Sequence, residues 1–429
     1  MSSVEQDGLS VTQAVFPMIA SMMGAGMLSL PQAVEKSGYM LSGVLLGAIA
    51  SISVFTLYQL VHCATQLKPG TEKSYFEVCR AASPLLGYAV EASIFLQGSG
   101  ICFLYFLIAK GWLAELLDIS TTVNTDRRAD IFFTLVIIAL PAFLASLKDL
   151  KRLNFASFFC TVAVLYLAFV ILACGLIALA FSGPVSLPEG VEQSTKLIAV
   201  NTNPSDLLEA TFKYIFALGC QQNMVKVFSL MKRPTVKNGT RVAIISVALG
   251  SFVYFLIANG GYIAVGNGQK KSILDELENA QKPFMHLSRS ILGPLVGLGI
   301  RLAKIGMIAV LLVGYPVQMH PTRDAILTFL NLSGSAKFFI ENNRRFVEIC
   351  ITSTLSALVV LGSLMGIDYF SVMKFIATTA SCYIMYTLPS MAYILSSKKK
   401  KVNVGISIGV LLFSLFVSFF GLYSILANE

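Results

Sequence analysis

Charge is what this chain has least of. Only 13% of its 429 residues are Asp, Glu, Lys or Arg, against 55% hydrophobic, and mean hydropathy is +0.74. No soluble domain carries so little charge over such a length, so the composition is that of a polytopic membrane protein. Histidine is nearly absent: His62, His286 and His320 are all there are. With no HExxH and no CxxC, a metalloenzyme has no ligand set, and no metal or other cofactor is expected. The eight cysteines sit mostly within apolar runs and none in a loop expected outside, which excludes a disulfide framework. A basic stretch ahead of the first apolar run is missing too. Glu5 and Asp7 stand there instead, so the first span is expected to act as its own targeting signal. Nor is there a cluster of acids and bases at mid-membrane depth, as an integral-membrane enzyme would need.

What the chain has is long apolar runs. Stretches of about 20 residues can cross a bilayer as helix. Eleven lie near 10–32, 39–64, 86–117, 131–147, 154–182, 205–230, 240–265, 291–318, 346–365, 369–395 and 402–426. With the N-terminus placed in the cytoplasm, every inner loop is basic: Lys68, Lys73 and Arg80; Lys148, Lys151 and Arg152; Lys232, Arg233, Lys237 and Arg241; Arg323, Lys337, Arg344 and Arg345; and Lys398 to Lys401. The outer loops dilute their Lys and Arg with Asp126, Asp130, Glu189, Glu192, Asp275, Glu276 and Glu278. This asymmetry predicts a cytoplasmic N-terminus and an extracellular or lumenal C-terminus. It also accounts for the net charge of +9 without nucleic acid.

Two of the runs are interrupted. The first contains Met23-Gly24-Ala25-Gly26-Met27-Leu28, then Ser29-Leu30-Pro31. Glycine loses the most backbone entropy in a helix and proline removes a donor, so a break is expected here. The sixth contains Phe216-Ala217-Leu218-Gly219-Cys220-Gln221-Gln222-Asn223, a glycine followed by small and polar side chains that are costly against lipid. The two breaks lie five spans apart, an odd number, so the sixth enters from the side opposite the first. Two five-span halves of opposite orientation, each opening on an interrupted helix, are the pattern of an inverted-repeat transporter. The organisation expected is a tail over 1–9, a first five-helix repeat over 10–182, a second over 205–395 and an eleventh helix over 402–426.

A broken helix offers bare N–H groups on one side of the gap and bare carbonyls on the other. A zwitterionic α-amino acid satisfies both. Its carboxylate is expected at the N–H groups of Gly26 to Leu28, and its ammonium at carbonyls of Ser21 to Met23 and Phe216 to Leu218. No charged side chain lies between Ser10 and Leu30 to compete. Met23 to Leu28, Phe216 to Gln221, and Gln97 on the third span are therefore the candidate substrate-binding residues. Glu209 and Lys213, four apart on the sixth span, read as a local ion pair at the membrane edge or part of an outer gate. Lys304 in the eighth span is expected to reach the headgroups, or else to fill a vacated cation site or serve proton coupling.

The residues Gly24-Ala25-Gly26, Leu28 and Leu30-Pro31 resemble the first-span signature of the amino acid/auxin permease family, of the larger superfamily of amino acid transporters. So do Tyr105 to Lys110, Lys148 to Leu153 with Ser157, Met231 to Thr235, Tyr254 to Gly266, Tyr315-Pro316 and Pro321 to Arg323. The resemblance implies an all-α, eleven-span, leucine-transporter-like fold of five plus five helices with one extra. It implies transport of amino acids coupled to protons or sodium, across the plasma membrane or a vacuolar or lysosomal one. Two departures stand out. Cys220-Gln221 replace the histidine or other polar residue that members often have, and Ile305 to Tyr315 carry no Ser or Thr. Sodium wants oxygen ligands, so the second departure favours protons. The alternatives are sodium-coupled transport and a non-transporting amino acid sensor.

Overall fold

The computed structural model describes residues 8–68, 70–147, 153–180, 197–269, 271–278, 293–331, 338–340, 342–396 and 401–427. Glu5, Asp7, Lys148, Lys151, Arg152, Glu189, Glu192, His286, Lys337 and Lys398 to Lys400 lie outside them, as do the side chains of Ser157 and Cys160. Among the described residues there is no strand, only one isolated bridge between Leu9 and Met231.

The helices run α1 (Val11–Met22), α2 (Leu30–Ser37), α3 (Tyr39–Ala64), α4 (Tyr75–Ala82), α5 (Pro84–Leu116), α6 (Ser120–Thr125), α7 (Arg127–Ser146), α8 (Leu153–Ala180), α9 (Pro204–Ala217), α10 (Gln221–Ser229), α11 (Val236–Val265), α12 (Ile273–Glu278), α13 (Gly293–Leu330), α14 (Arg344–Leu364), α15 (Tyr369–Ile376), α16 (Leu388–Ser396) and α17 (Lys401–Leu426). Local chemistry sets many of the ends. Ser10 and Gln13 form a reciprocal capping box at α1. Asn203, Asp126, Thr235 and Asp368 cap α9, α7, α11 and α15 with side-chain oxygens. Gly38 and Gly266 end α2 and α11 at φ of 81° and 76°, where a side chain is strained.

Eight helices are long and apolar enough to cross a membrane, and α1 with the segment Ala25–Ser37, bent by 55°, makes a ninth. The expected spans at 205–230 and 369–395 are helical as well. The former is split into α9 and α10, and the latter winds as π-helix over Ala377–Ser381 and Tyr383–Thr387 between α15 and α16. The eighth run continues past its expected end at 318 to Leu330, with Pro316 and Pro321 inside the helix. Its extension is held because Met319, Thr322 and Ala325 remain buried.

Burial runs opposite to that of a soluble protein. Phe132, Phe169, Phe252, Leu412 and Phe419 are exposed, while Gln59, Ser246, Thr352 and Lys304 are buried. That distribution, with the apolar helices, makes this an integral multi-pass membrane protein. The main core packs α1, α2, α3, α8, α9, α10 and α11 together, and α13 lies along α5. A smaller core of Cys102, Phe106, Tyr315, Met319 and Leu355 joins α5, α7, α13 and α14. The seven cysteines described are free thiols. Ahead of α1, the Leu9 N–H donates to the Leu230 carbonyl at 2.7 Å, and the Lys232 N–H donates back to Leu9 at 2.9 Å.

Candidate functional site

The first break opens at Met23 and Gly24, both extended, the latter at φ −154° and ψ −160°. Ala25–Ser29 then form a 3-10 turn before α2 restarts. Pro31 lies in the first turn of α2, where its missing N–H costs nothing, so the proline starts a helix rather than breaking one. The Met27 N–H is already spent on the Gly24 carbonyl at 3.3 Å. The donors without a place in the turn are therefore those of Gly24, Ala25 and Gly26, earlier than the expected Gly26 to Leu28. No side chain caps this restart.

The second break spans Leu218, Gly219 and Cys220. Gln221 folds back on its own helix start: its Oε1 accepts the Cys220 N–H at 3.0 Å and its Nε2 donates to Thr56 Oγ1 at 3.3 Å. Its amide thus fixes α10 against α3.

The two breaks touch. A Cβ added at Gly26 would lie 3.0 Å from both the Ala217 Cα and Phe216 Cδ1. At Gly219 the nearest side chains are Met385 Sδ at 3.7 Å and Gln97 Nε2 at 3.8 Å. Among the candidate residues, Met23, Gly24, Phe216 and Gly219 keep partial exposure, while Ala25 to Leu28, Ala217, Leu218, Cys220 and Gln221 are buried in protein. Cys220 therefore packs inside the bundle. Gln97 Oε1 is buried without a hydrogen-bond partner, and so are the hydroxyls of Ser99 and Ser381.

Three tyrosines, from α5, α11 and α15, complete the surroundings. The Tyr254 hydroxyl lies 2.5 Å from the Met22 carbonyl and 3.1 Å from that of Ala217. Tyr369 donates to the Ala25 carbonyl at 3.2 Å. The Tyr105 hydroxyl stands 2.7 Å from where a Gly24 Cβ would be. Sequence reading missed all three as site residues. The available signal was a phenol within an apolar helix, which must find a polar partner when buried. Two carbonyls expected to hold an ammonium, Met22 and Ala217, thus already have a hydroxyl between them.

The charged candidates lie away from the breaks. Lys304 pairs with carboxylates and does not lie at either break. It is buried, 2.8 Å from Glu115, 3.0 Å from Asp275 and 2.5 Å from Glu278. The reason is α12, which brings two carboxylates onto α13, with Asp275 also held by Trp112 Nε1 at 2.7 Å. Glu209 and Lys213 pair at 2.5 Å, but not in isolation: Lys36 of α2 reaches Asp206 at 2.8 Å and Glu209 at 3.5 Å. Together they clamp α2 to α9. Among the described residues no group of His, Cys, Asp or Glu is arranged to hold a metal.

A family model described as transmembrane amino acid transporter protein matches residues 7–427. The chain belongs to that family. Members and relatives are transporters, not enzymes. The chain is 24% identical over 391 residues to vacuolar amino acid transporter 5 of Schizosaccharomyces pombe, covering 90% of this chain and 84% of that one. It is 24% identical over 402 residues to amino acid transporter AVT6E of Arabidopsis thaliana, with 90% and 76% covered. It is 24% identical over 427 residues to sodium-coupled neutral amino acid symporter 2 of Danio rerio, with 94% and 79% covered.

Proposed function

We propose that this chain is a secondary-active amino acid transporter that alternates access around the paired breaks and is driven by a proton gradient. The architecture this reading uses is the eleven-span, leucine-transporter-like one, with inverted repeats over 10–182 and 205–395 and an added helix over 402–426. The observation that carries it is the meeting of the breaks, Gly26 against Ala217, with both helix ends exposing backbone dipoles in an apolar interior.

The substrate carboxylate takes the N–H groups of Gly24 to Gly26, at the positive start of the restarted helix. The ammonium takes carbonyls beside those used by Tyr254, at Met23, Phe216 and Leu218. The substrate side chain extends toward Gly219, whose neighbour Gln97 presents Nε2 on that side and has its buried Oε1 without a partner. Protons are favoured over sodium because Ile305 to Tyr315 offer no hydroxyl oxygens. The N-terminus is cytoplasmic in this reading, and the vacuolar relatives favour a vacuolar membrane over the plasma membrane.

Reconstitution tests it. Proteoliposomes loaded with one unlabelled amino acid should take up the same labelled amino acid by counterflow, and an inward proton gradient should drive net accumulation. If none of the common amino acids exchanges, the transport reading fails. If exchange occurs but accumulation follows only a sodium gradient, the proton assignment fails.

A further inference from the structure

Met22 is the last residue of α1 and Ala217 the last of α9. Each carbonyl is the negative end of a half-helix. Two such ends aimed at one point in a dry interior repel each other unless something positive lies between. In broken-helix transporters half-helix carbonyl ends commonly coordinate the coupling cation. Here the point is filled by the fully buried Tyr254, whose hydroxyl oxygen is 2.5 Å from one carbonyl and 3.1 Å from the other. A hard cation binds oxygen at about the same distance, roughly 2.3–2.6 Å for calcium. The phenol oxygen therefore occupies the volume an ion would need, and its single proton, shared toward the nearer carbonyl, supplies the positive end.

The Ala25 carbonyl has the Tyr369 hydroxyl. The carboxylates of the outer half are held by lysines instead: Asp206 and Glu209 by Lys36 and Lys213, and Glu115, Asp275 and Glu278 by Lys304.

We infer that the Tyr254 hydroxyl is a built-in substitute for a coupling cation between the two half-helices, and that amino acid movement by this chain runs without sodium. The inference rests on the reading of the chain as an amino acid transporter. Tyr254 acts as a positioning residue: it fixes the backbone that meets the substrate.

The test is counterflow by the reconstituted full chain in sodium chloride and in choline chloride. The expected result is a KM and maximal rate equal in the two salts. For Tyr254→Phe, KM should rise about fivefold, the size of one lost hydrogen bond. A control, Tyr393→Phe, loses a phenol that accepts from Asn403 at 3.3 Å and is hydrogen-bonded to Tyr58, touches neither break, and should keep its KM. Counterflow in sodium alone overturns the inference and leaves the transport reading intact. So does a Tyr254→Phe variant with the wild-type KM. Absence of counterflow in both salts overturns the transport reading, and the inference with it. Should the phenylalanine variant fail to insert, the salt comparison on the wild-type chain decides the matter.

Discussion

Gly26 and Gly219 look alike in sequence, one in each interrupted run, yet their surroundings differ. Gly26 is pressed against Ala217 and Phe216 at 3.0 Å, so any side chain forces the breaks apart. Overpacking of this kind costs about 1–3 kcal/mol, small against insertion of the whole bundle but large for a site that must keep its shape. Gly26→Val should abolish counterflow while the protein still inserts and elutes as a single species. A Cβ at Gly219 would sit in ordinary contact, 3.5 Å or more from its neighbours, and points at Met385 and Gln97. Gly219→Ala should therefore keep transport and shift preference toward smaller amino acids, measured as the ratio of KM values for alanine and a longer substrate. The glycines were legible in sequence because their chemistry is local. The role of Tyr254 was not, since its bond to Met22 joins residues 232 positions apart and the pattern of an apolar helix treats a tyrosine as packing.

At the level of elements, the short ones escaped sequence reading. α6 and α12 have six residues each and α4 has eight, too few turns to show an apolar stripe. α12 matters most of these. Gln32 and Glu35 of α2 hold the chain ahead of it through the backbone of Gly268, Gln269 and Lys271. Its own carboxylates then bind Lys304 on α13. One connection thus ties the second half of the first span to α13. Breaking a buried ion pair from one side costs about 3–5 kcal/mol, and the partial exposure of Glu115 and Glu278, 43% and 35%, puts this one at the lower end. Lys304→Met should release the connection, lower the melting temperature by a few degrees and speed tryptic cleavage at the exposed Lys271. Unchanged cleavage would remove α12 from that role.

For the whole molecule, eight of the expected runs, and a ninth with the bent first one, were legible as spans among the described residues because lipid imposes a coarse rule: about 20 apolar residues, closed by polar ends. Tyr39–Ala64 coincides with its expected run, and the other unbroken spans differ mainly where a helix outlasts its apolar stretch, as at α13. The proposed repeat symmetry is inferred from chain direction and is not visible side chain by side chain in the sequence. The orientation can be checked directly. Lys237 and Lys271 are both exposed and flank opposite ends of the 30-residue α11. At 1.5 Å per residue such a helix is long enough to cross the bilayer. In intact cells or sealed vesicles of known sidedness, Lys271→Cys should react with a membrane-impermeant maleimide from the non-cytoplasmic side, and Lys237→Cys only after permeabilisation. The reverse pattern would invert the topology.

The paired bonds between Leu9 and the Leu230–Lys232 segment have a mechanical consequence. They staple the leading end of the first span to the trailing end of the sixth, on the face opposite α12. A gate that opened there by peeling α1 away alone would have to tear that staple. In the proposed alternating-access reading, the staple makes the two half-helices on that side swing as a single paddle, so that a substrate leaving there would pass both at once.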